Sequence, residues 1–233
     1  GAVLASRDLT LRLETEREIR ESRALAEALR DTSAALTGTL QLDEVLSRIL
    51  ENVGKVVANE CANIMLIQPD GLAHIVRVMG YDKFGTTDFV MDVRYKVKEV
   101  DNLDLMMRTQ APMAIPDVTK DEKWIPSGPL SWIRSYAAAP LRSQGEVIGF
   151  LNLDSATPDA YSQEHANRLQ AFADQAAVAI QNARLYEEAR ERARQQDLLN
   201  QITHLALATP DLNAMLNLVA QRLVRLFNAA NVH

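Results

Sequence analysis

The stretch 138-AAPLRSQGEVIGFLNLDS-155 decides the fold, because it has the composition of two strands joined by a tight turn. Ser135–Leu141 and Glu146–Asp154 are rich in apolar residues. Between them, Arg142-Ser143-Gln144-Gly145 carries the small polar residues and the glycine that turns prefer. Two apolar runs separated by such a segment predict an antiparallel hairpin.

Alternation along the second strand of this hairpin assigns its side chains to two faces, because successive residues of a strand point to opposite sides of a sheet. We expect Gly149 to face the helices, where the missing side chain allows a close helix approach. The residues predicted to share that face are Val147, Gly149, Leu151 and Leu153. The residues predicted to face the other way are Ile148, Phe150, Asn152 and Asp154.

Further strands and helices are predicted on both sides of the hairpin. Cys61–Gln68 and Leu72–Met79 flank the turn Pro69-Asp70-Gly71 and predict a second hairpin. Other predicted strands are Phe89–Val97 and Pro112–Ile115, and the predicted helices are Asp43–Ala58, Asp101–Thr109 and a long one from Ser162 onward. The fold class is therefore α+β, with a five- or six-stranded antiparallel sheet and the helices Asp43–Ala58 and Ser162–Asn182 packed together on one face.

Two helical stretches carry narrow apolar stripes, which are typical of coiled coils rather than of a wide core face. One stretch runs from Arg12 to Leu36, and the other is 183–199. We expect a parallel homodimer that pairs through one or both of these helices. The alternative for 183–199 is a single solvated helix, since most of its residues are charged. The stripe residues are Leu25, Leu29 and Leu36 in the first stretch, and Leu185, Ala189 and Ala193 in the second.

Composition and charge argue against several classes of protein. The net charge of −6 provides no basic footprint for nucleic acid, and no apolar run approaches the ~20 residues that a membrane helix needs. Cys61 is the only cysteine, which excludes an intramolecular disulfide and a zinc site built from several cysteines. A lone thiol in an apolar strand is most often a small core residue. We therefore expect a cytoplasmic protein without nucleic-acid partners and without membrane insertion.

Three segments, in order along the chain, carry a family resemblance. They are the hairpin 138–155, the exit with Pro158, Tyr161 and Ser162, and the helix 175-QAAVAIQNARLY-186. From about Leu42 to Glu188 the sequence resembles a GAF domain. The resemblance implies a non-catalytic sensory or regulatory module of a bacterial multidomain signalling protein.

The flanking segments resemble parts of further domains. The stretch 3-VLASRDLT-10 is similar to the last strand and exit of a PAS domain, and 212-LNAML-216 resembles 42-LDEVL-46 as a repeated unit would. The expected organisation is a PAS-like end at 1–10, a linker helix at 11–41, the GAF-like domain at 42–182, a connecting signalling helix at 183–199, and the first helix of a second GAF-like domain at 200–233.

The same resemblance implies a ligand site on the sheet face opposite the terminal helices, beneath the segments between the third and fifth strands. Aromatic side chains with a polar tip suit a small-molecule pocket, and they equally suit a core lid. Polar residues on that face either bind a ligand or satisfy backbone groups of the loops. No catalytic residue and no metal ligand is predicted. The candidate ligand-binding residues are Phe89, Tyr95, Trp124, Trp132, Arg134, Tyr136, Phe150, Asn152 and Asp154.

The chemistries of GAF-like domains leave the ligand unidentified. Covalent bilin attachment needs a cysteine between the third and fifth strands, and none lies there, so no bilin is expected. The signature of cyclic-nucleotide-binding members is matched only by Lys120-Asp-Glu122, and the sulfoxide reductases of this fold need several cysteines. The cofactor stays unknown, and two functions stay open: a small-molecule sensor, and a ligand-free dimerisation spacer of the same fold.

Overall fold

The computed structural model describes residues 42–125 and 128–208. The chain divides into two units, one reaching to Ala183 and the other beginning at Arg184. Three expectations lie outside the described residues. They are the PAS-like end at 1–10, the linker helix at 11–41 with its leucine stripe, and most of the second GAF-like segment, which continues beyond residue 208.

The described helices and strands follow one another in a mixed order along the chain. The helices are α1 (Leu42–Val56), α2 (Thr87–Asp92), α3 (Asp101–Thr109) and α4 (Gln163–Ala208). The strands are β1 (Cys61–Ile67), β2 (Leu72–Met79), β3 (Arg94–Lys96), β4 (Met113–Ile115), β5 (Ser135–Ser143) and β6 (Glu146–Ser155). Short 3₁₀ turns lie at Tyr81–Phe84, Val97–Glu99, Val118–Lys120 and Gly128–Leu130.

The strands form a six-stranded antiparallel sheet in the order β3-β2-β1-β6-β5-β4. The two predicted hairpins are its β1–β2 and β5–β6 pairs, and β1 pairs with β6 in the middle of the sheet. Because the sheet is antiparallel throughout and helices flank it in sequence, the α+β prediction is confirmed.

One face of the sheet is covered by α1 and the first part of α4, and the buried residues between them form what we call the helix-side core. Both helices contribute large apolar side chains to the same cluster as the sheet, so the prediction that they share a face is confirmed. Members of the helix-side core include Leu46, Ile49 and Leu50 of α1, Ile64 and Leu151 of the sheet, and Leu169, Phe172 and Ile180 of α4.

The predicted third strand, Phe89–Val97, is wrong over most of its length. Thr87–Asp92 is helix α2, and β3 comprises only Arg94–Lys96. The buried residues on the other face of the sheet form what we call the loop-side core. Phe89 and Val90 both pack into this core. A short apolar run of this kind does not distinguish a strand from a buried helical turn, and this explains the error.

The predicted faces of β6 are wrong at its first two apolar residues. Leu141 pairs with Gly149, whereas Arg142 pairs with Val147, so Ile148 is an extra residue that forms a bulge. Val147 consequently belongs to the loop-side core, and Ile148 packs against the helix-side core. From Phe150 to Asp154 the predicted alternation holds.

Gly149 is required by a neighbouring strand rather than by a helix. A Cβ atom at this position would lie 2.2 Å from the backbone oxygen of Met65 and 3.0 Å from Cδ2 of Leu66, both on β1. The backbone oxygen cannot rotate away as the end of a side chain can. The expectation of a close helix approach is therefore corrected to a close approach of β1.

Replacing Gly149 with Ala is expected to lower the free energy of unfolding by about 1–3 kcal/mol, because β1 and β6 must move apart. Urea unfolding followed by circular dichroism measures this change. The matched control is Gly54→Ala on α1, whose added Cβ would have its nearest neighbour at an ordinary 3.6 Å. Alanine is favoured over glycine inside a helix, so the control should be neutral or stabilising. Equal losses in both variants would contradict the argument.

Candidate functional site

A cavity of about 380 Å³ lies on the loop side of the sheet. Its floor comes from β1, β2, β5 and β6, and its cover comes from α2, β3, α3 and the segment after Asp121. A cavity of this size accommodates a small organic molecule. The apolar part of its lining includes Met65, Ile75, Val90, Leu103 and Ile133.

Five polar side chains in the cavity lining form a continuous series of hydrogen bonds, which we call the polar chain. Tyr136 Oη donates to Asn152 Oδ1 at 2.7 Å, and Asn152 Nδ2 donates to Asn63 Oδ1 at 2.8 Å. Asn63 Nδ2 donates to Tyr81 Oη at 2.7 Å, and Tyr81 Oη donates to Asp154 Oδ2. Every step donates in the same direction, so the polar chain ends on the carboxylate of Asp154.

Strand register explains why these side chains meet. Asn63 on β1 lies opposite Asn152 on β6, and Tyr136 on β5 lies opposite Asp154 on β6. Asn152 and Asp154 are two residues apart on one strand and therefore share a face. Tyr81 reaches the same place from the 3₁₀ turn after β2.

Gly80 makes the position of Tyr81 possible. Its φ of +87° is unfavourable for any residue with a side chain. In addition, a Cβ atom there would lie 2.0 Å from the backbone oxygen of Glu60. The turn into Tyr81 therefore depends on this glycine.

Asp154 is an unusual ionisable group because it is only 5% exposed. Burial raises its pKa from 3.8 to about 6, and the hydrogen bond from Tyr81 opposes part of this rise. Within residues 42–125 and 128–208, no lysine, arginine or histidine forms an ion pair with it. A buried carboxylate without a cation costs free energy.

The titratable neighbours of Asp154 are neutral at pH 7. Burial raises the pKa of the Cys61 thiol to about 12 and raises the pKa of the Tyr81, Tyr136 and Tyr161 hydroxyls above their ordinary values. Asp154 is thus the member of this set that changes charge near neutral pH. More distant charges that act on Cys61 are Glu60, Asp82 and Lys83.

Positively charged side chains lie on the exposed part of the cavity lining. Lys96 forms an ion pair with Glu99 at 3.0 Å, and both line the cavity. Arg94 and Lys123 also line it, but neither forms an ion pair within the described part of the chain. Arg94 Nη1 instead donates to the backbone oxygens of residues 91 and 93, at 2.8 and 3.1 Å, which fixes the position of its guanidinium group.

The structure brings five of the predicted site residues into the cavity lining and leaves the other four outside it. Trp124 and Tyr136 lie side by side, with ring centroids 5.1 Å apart. The predicted residues that line the cavity are Tyr95, Trp124, Tyr136, Asn152 and Asp154.

The other four predicted residues have packing or backbone contacts. Phe150 is fully buried in the loop-side core, and Phe89 packs against that core. Trp132 stacks on Phe84 with ring centroids 3.8 Å apart. Arg134 donates to the backbone oxygens of residues 131 and 133, at 2.6 and 3.0 Å. Whether these four affect binding stays a prediction.

Five further polar or charged residues of the cavity lining were not predicted from the sequence: Asn63, Tyr81, Arg94, Asn102 and Lys123. A signal existed only for Asn63, because an amide in the middle of the apolar strand Cys61–Ile67 is a buried polar group that needs partners. The others lie on β3, on α3, in a 3₁₀ turn and in the segment after Asp121, and only the folded chain places these elements over the sheet.

Two wider properties of the described chain bear on the kind of site. No three or more His, Cys, Asp or Glu side chains are grouped so as to hold a metal ion within residues 42–125 and 128–208. In the same ranges, none of the helices has the length and apolar character needed to cross a bilayer.

Comparison with known proteins identifies a matching family. A family model described as GAF domain matches residues 41–180. The regulatory protein LuxO of Vibrio cholerae serotype O1 is 25% identical over 176 residues, which cover 73% of this chain and 32% of that protein. The chain thus spans about a third of the length of this curated relative.

Solved structures of several kinds share the fold. The GAF domain of a phosphoenolpyruvate-protein phosphotransferase from Coxiella burnetii superposes with a TM-score of 0.60 at 15% identity, covering 71% of this chain and 98% of that one. A free methionine-R-sulfoxide reductase from Neisseria meningitidis, in complex with its substrate, gives 0.55 at 15% identity, covering 70% and 91%. At these identities the likeness establishes the fold alone.

Proposed function

Since this chain belongs to the GAF domain family, we propose that it is a non-catalytic sensory module of a cytoplasmic signalling protein. It binds a small organic molecule in the 380 Å³ cavity and passes the effect through α4 to an output domain. The observation that carries this proposal is the polar chain, which ends on a buried carboxylate that has no cation partner among the described residues. Side chains that only cover the core do not require a buried carboxylate. Ionisable groups with a perturbed pKa that line a cavity are, in contrast, frequent at functional sites.

Catalysis by the lone cysteine is disfavoured by the environment of Cys61. The side chain is fully buried, and burial together with Asp154 raises its pKa to about 12. The thiolate is the nucleophilic form of cysteine, and at this pKa almost none is present at pH 7. The chain therefore shares the fold of the sulfoxide reductase, and we propose that it does not share its chemistry.

A ligand-free dimerisation spacer is the second candidate function. It is favoured by the second unit, where Leu185 and Leu199 are 52% and 59% exposed. Apolar side chains this exposed on a charged helix suit pairing with a second copy. We propose a parallel homodimer in either case, but the sensor function depends on an occupied cavity, whereas the spacer function depends only on the pairing.

Native mass spectrometry of the purified chain tests occupancy. We expect an adduct that survives gentle ionisation and is lost on denaturation. Leu103→Trp places a large side chain into the cavity lining and should abolish the adduct. The matched control is Leu105→Trp on the same helix, which is 41% exposed and does not line this cavity.

Two results would reject the sensor in favour of the spacer. One is the absence of any adduct, together with no thermal stabilisation by a small-molecule extract of the expression host. The other is an adduct that both tryptophan variants retain, since it would lie elsewhere. Circular dichroism must show that each variant is folded.

A further inference from the structure

We propose that the cavity takes an organic cation, in which a protonated amine or amidine donates hydrogen bonds to Asp154 and is attached to an apolar or aromatic body. This inference rests on the proposed function, because it names the class of molecule that the same cavity binds. Three observations support it: the direction of the hydrogen bonds in the polar chain, the pairing of the charged side chains in the lining, and the aromatic character of the rest.

The direction of the polar chain leaves Asp154 with a single donor. The hydroxyl of Tyr81 has one proton, which it donates to Asp154 Oδ2, and it accepts from Asn63 Nδ2. Within residues 42–125 and 128–208, no second donor reaches the carboxylate. An ionised carboxylate accepts up to about four hydrogen bonds. Because Asp154 lines the cavity, a ligand can supply further donors.

The charged side chains of the lining do not neutralise Asp154. Of the two carboxylates in the lining, Glu99 is exposed and pairs with Lys96 at 3.0 Å, whereas Asp154 is buried. The pKa of Asp154 is determined by burial and by the hydrogen bond from Tyr81, without a contribution from any lysine or arginine of the described chain. A cationic donor forms a stronger hydrogen bond to a carboxylate than a neutral donor does, and it also offsets the cost of the buried charge.

The remaining lining suits the body of an organic cation. Apolar side chains such as Met65 and Leu103 favour a hydrocarbon or ring rather than a strongly hydrated polyamine. Faces of aromatic rings attract cations, most strongly when water is excluded. The aromatic residues that line the cavity together with Asp154 are Tyr81, Tyr95, Trp124 and Tyr136.

Isothermal titration calorimetry at pH 7 tests the inference on the whole chain with three probes of nearly equal size and shape. They are benzamidine, which is a cation, benzamide, which is neutral and keeps its N–H donors, and benzoate, which is an anion. We expect benzamidine to bind at least about tenfold more tightly than the other two, since only its donors are charged.

Two carboxylate variants locate the bound cation. Asp154→Asn should lower the affinity for benzamidine at least about tenfold and leave the affinity for benzamide nearly unchanged. The matched control is Glu99→Gln, which removes the other carboxylate of the same lining and should not weaken benzamidine binding. Circular dichroism and the unchanged binding of benzamide show that the cavity of Asp154→Asn is intact.

Several outcomes would overturn the inference. They are benzoate or benzamide binding as tightly as benzamidine, indifference of benzamidine to Asp154→Asn, an equal loss in Glu99→Gln, and failure of benzamidine to bind at millimolar concentration. Failure of the proposed function is distinguished by native mass spectrometry. An adduct abolished by Leu103→Trp would leave the sensor proposal standing, with a ligand of other chemistry.

Discussion

Replacing Asp154 with Asn is expected to stabilise the ligand-free protein at neutral pH, although the residue is buried and accepts a hydrogen bond from Tyr81. Asn keeps the size of the side chain and can still accept the hydrogen bond from Tyr81. What it removes is a buried negative charge that has no cation within the described residues. The variant should therefore gain stability while losing the group that we propose binds the ligand.

The pH dependence gives the sign of this effect. The pKa of Asp154 is about 6 in the folded protein and near its ordinary 3.8 in the unfolded chain. Between these values the folded state holds a proton that the unfolded state has released, so the free energy of unfolding falls as the pH rises from about 4 to about 6. The destabilisation is fully present above pH 6 and absent below pH 4. A shift of roughly two units corresponds to about 3 kcal/mol at most.

The measurement is urea unfolding of the protein and of Asp154→Asn at pH 4, 5, 6 and 7. The two curves should nearly coincide at pH 4 and separate by about 2–3 kcal/mol at pH 7, with the variant more stable. If Asp154→Asn were less stable than the parent protein at pH 7, and by the same amount as at pH 4, this explanation would be contradicted. It would mean that the carboxylate contributes more through its hydrogen bond than it costs through its charge.

Asp117→Asn provides a control of opposite sign. Asp117 Oδ1 accepts hydrogen bonds from Thr119 N at 3.1 Å and Thr119 Oγ1 at 2.6 Å, and its Oδ2 lies 2.9 Å from Lys120 Nζ. These contacts lower its pKa from 3.8 to about 2. Its contribution is present above pH 4 and is lost as the pH falls towards 2. Removing this carboxylate should lower stability at pH 7, where removing Asp154 should raise it.

The parts of the fold that sequence predicts well are those with a strong local pattern. Asp101–Thr109 is a helix with the predicted bounds, and the hairpin 138–155 forms around its predicted turn. The bulge at Ile148 was not predictable, because it depends on how β5 pairs with β6 near Leu141 and Gly149. No local pattern in the sequence indicates this pairing. Helix α2 was missed because its three consecutive apolar residues, Phe89, Val90 and Met91, are too few to define a period.

The candidate site shows the same division between local and long-range information. Asn152 and Asp154 follow from alternation along one strand. Asn63 and Tyr81, which connect them to each other, come from β1 and from a 3₁₀ turn, so only the folded sheet brings them together. Trp132 was predicted from its residue type, but its ring stacks on Phe84 instead of lining the cavity.

Replacing Leu199 with Glu is expected to convert a dimer into a monomer. Leu185 and Leu199 on α4 are exposed and lie two heptads apart, and in sequence Val178 precedes Leu185 by one heptad. Arg192 lies at the heptad position between the two leucines, where a polar residue costs stability but sets the register of a pair. Residues two heptads apart occupy the same heptad position, so both leucines lie on the same face of a helix in a coiled coil.

The size of the effect follows from symmetry. Burying a leucine contributes roughly 1.5–3 kcal/mol, and one substitution changes both copies of a homodimer. The loss is then about 3–6 kcal/mol, and since each 1.4 kcal/mol is tenfold, the dissociation constant rises about 10²- to 10⁴-fold. Burying the new glutamate against its symmetric copy adds repulsion in the same direction.

Light scattering coupled to size exclusion, at micromolar protein, measures the change. Arg190→Glu is the matched control, because it introduces the same residue at the heptad position farthest from the leucine line. We expect the control to stay dimeric and Leu199→Glu to run as a monomer, with the far-ultraviolet circular dichroism of the sheet unchanged. A monomeric parent chain, or equal dissociation of both variants, would contradict pairing through α4. Because the spacer function needs a dimer and binding in the cavity does not, a monomeric parent chain would also leave the sensor as the only candidate.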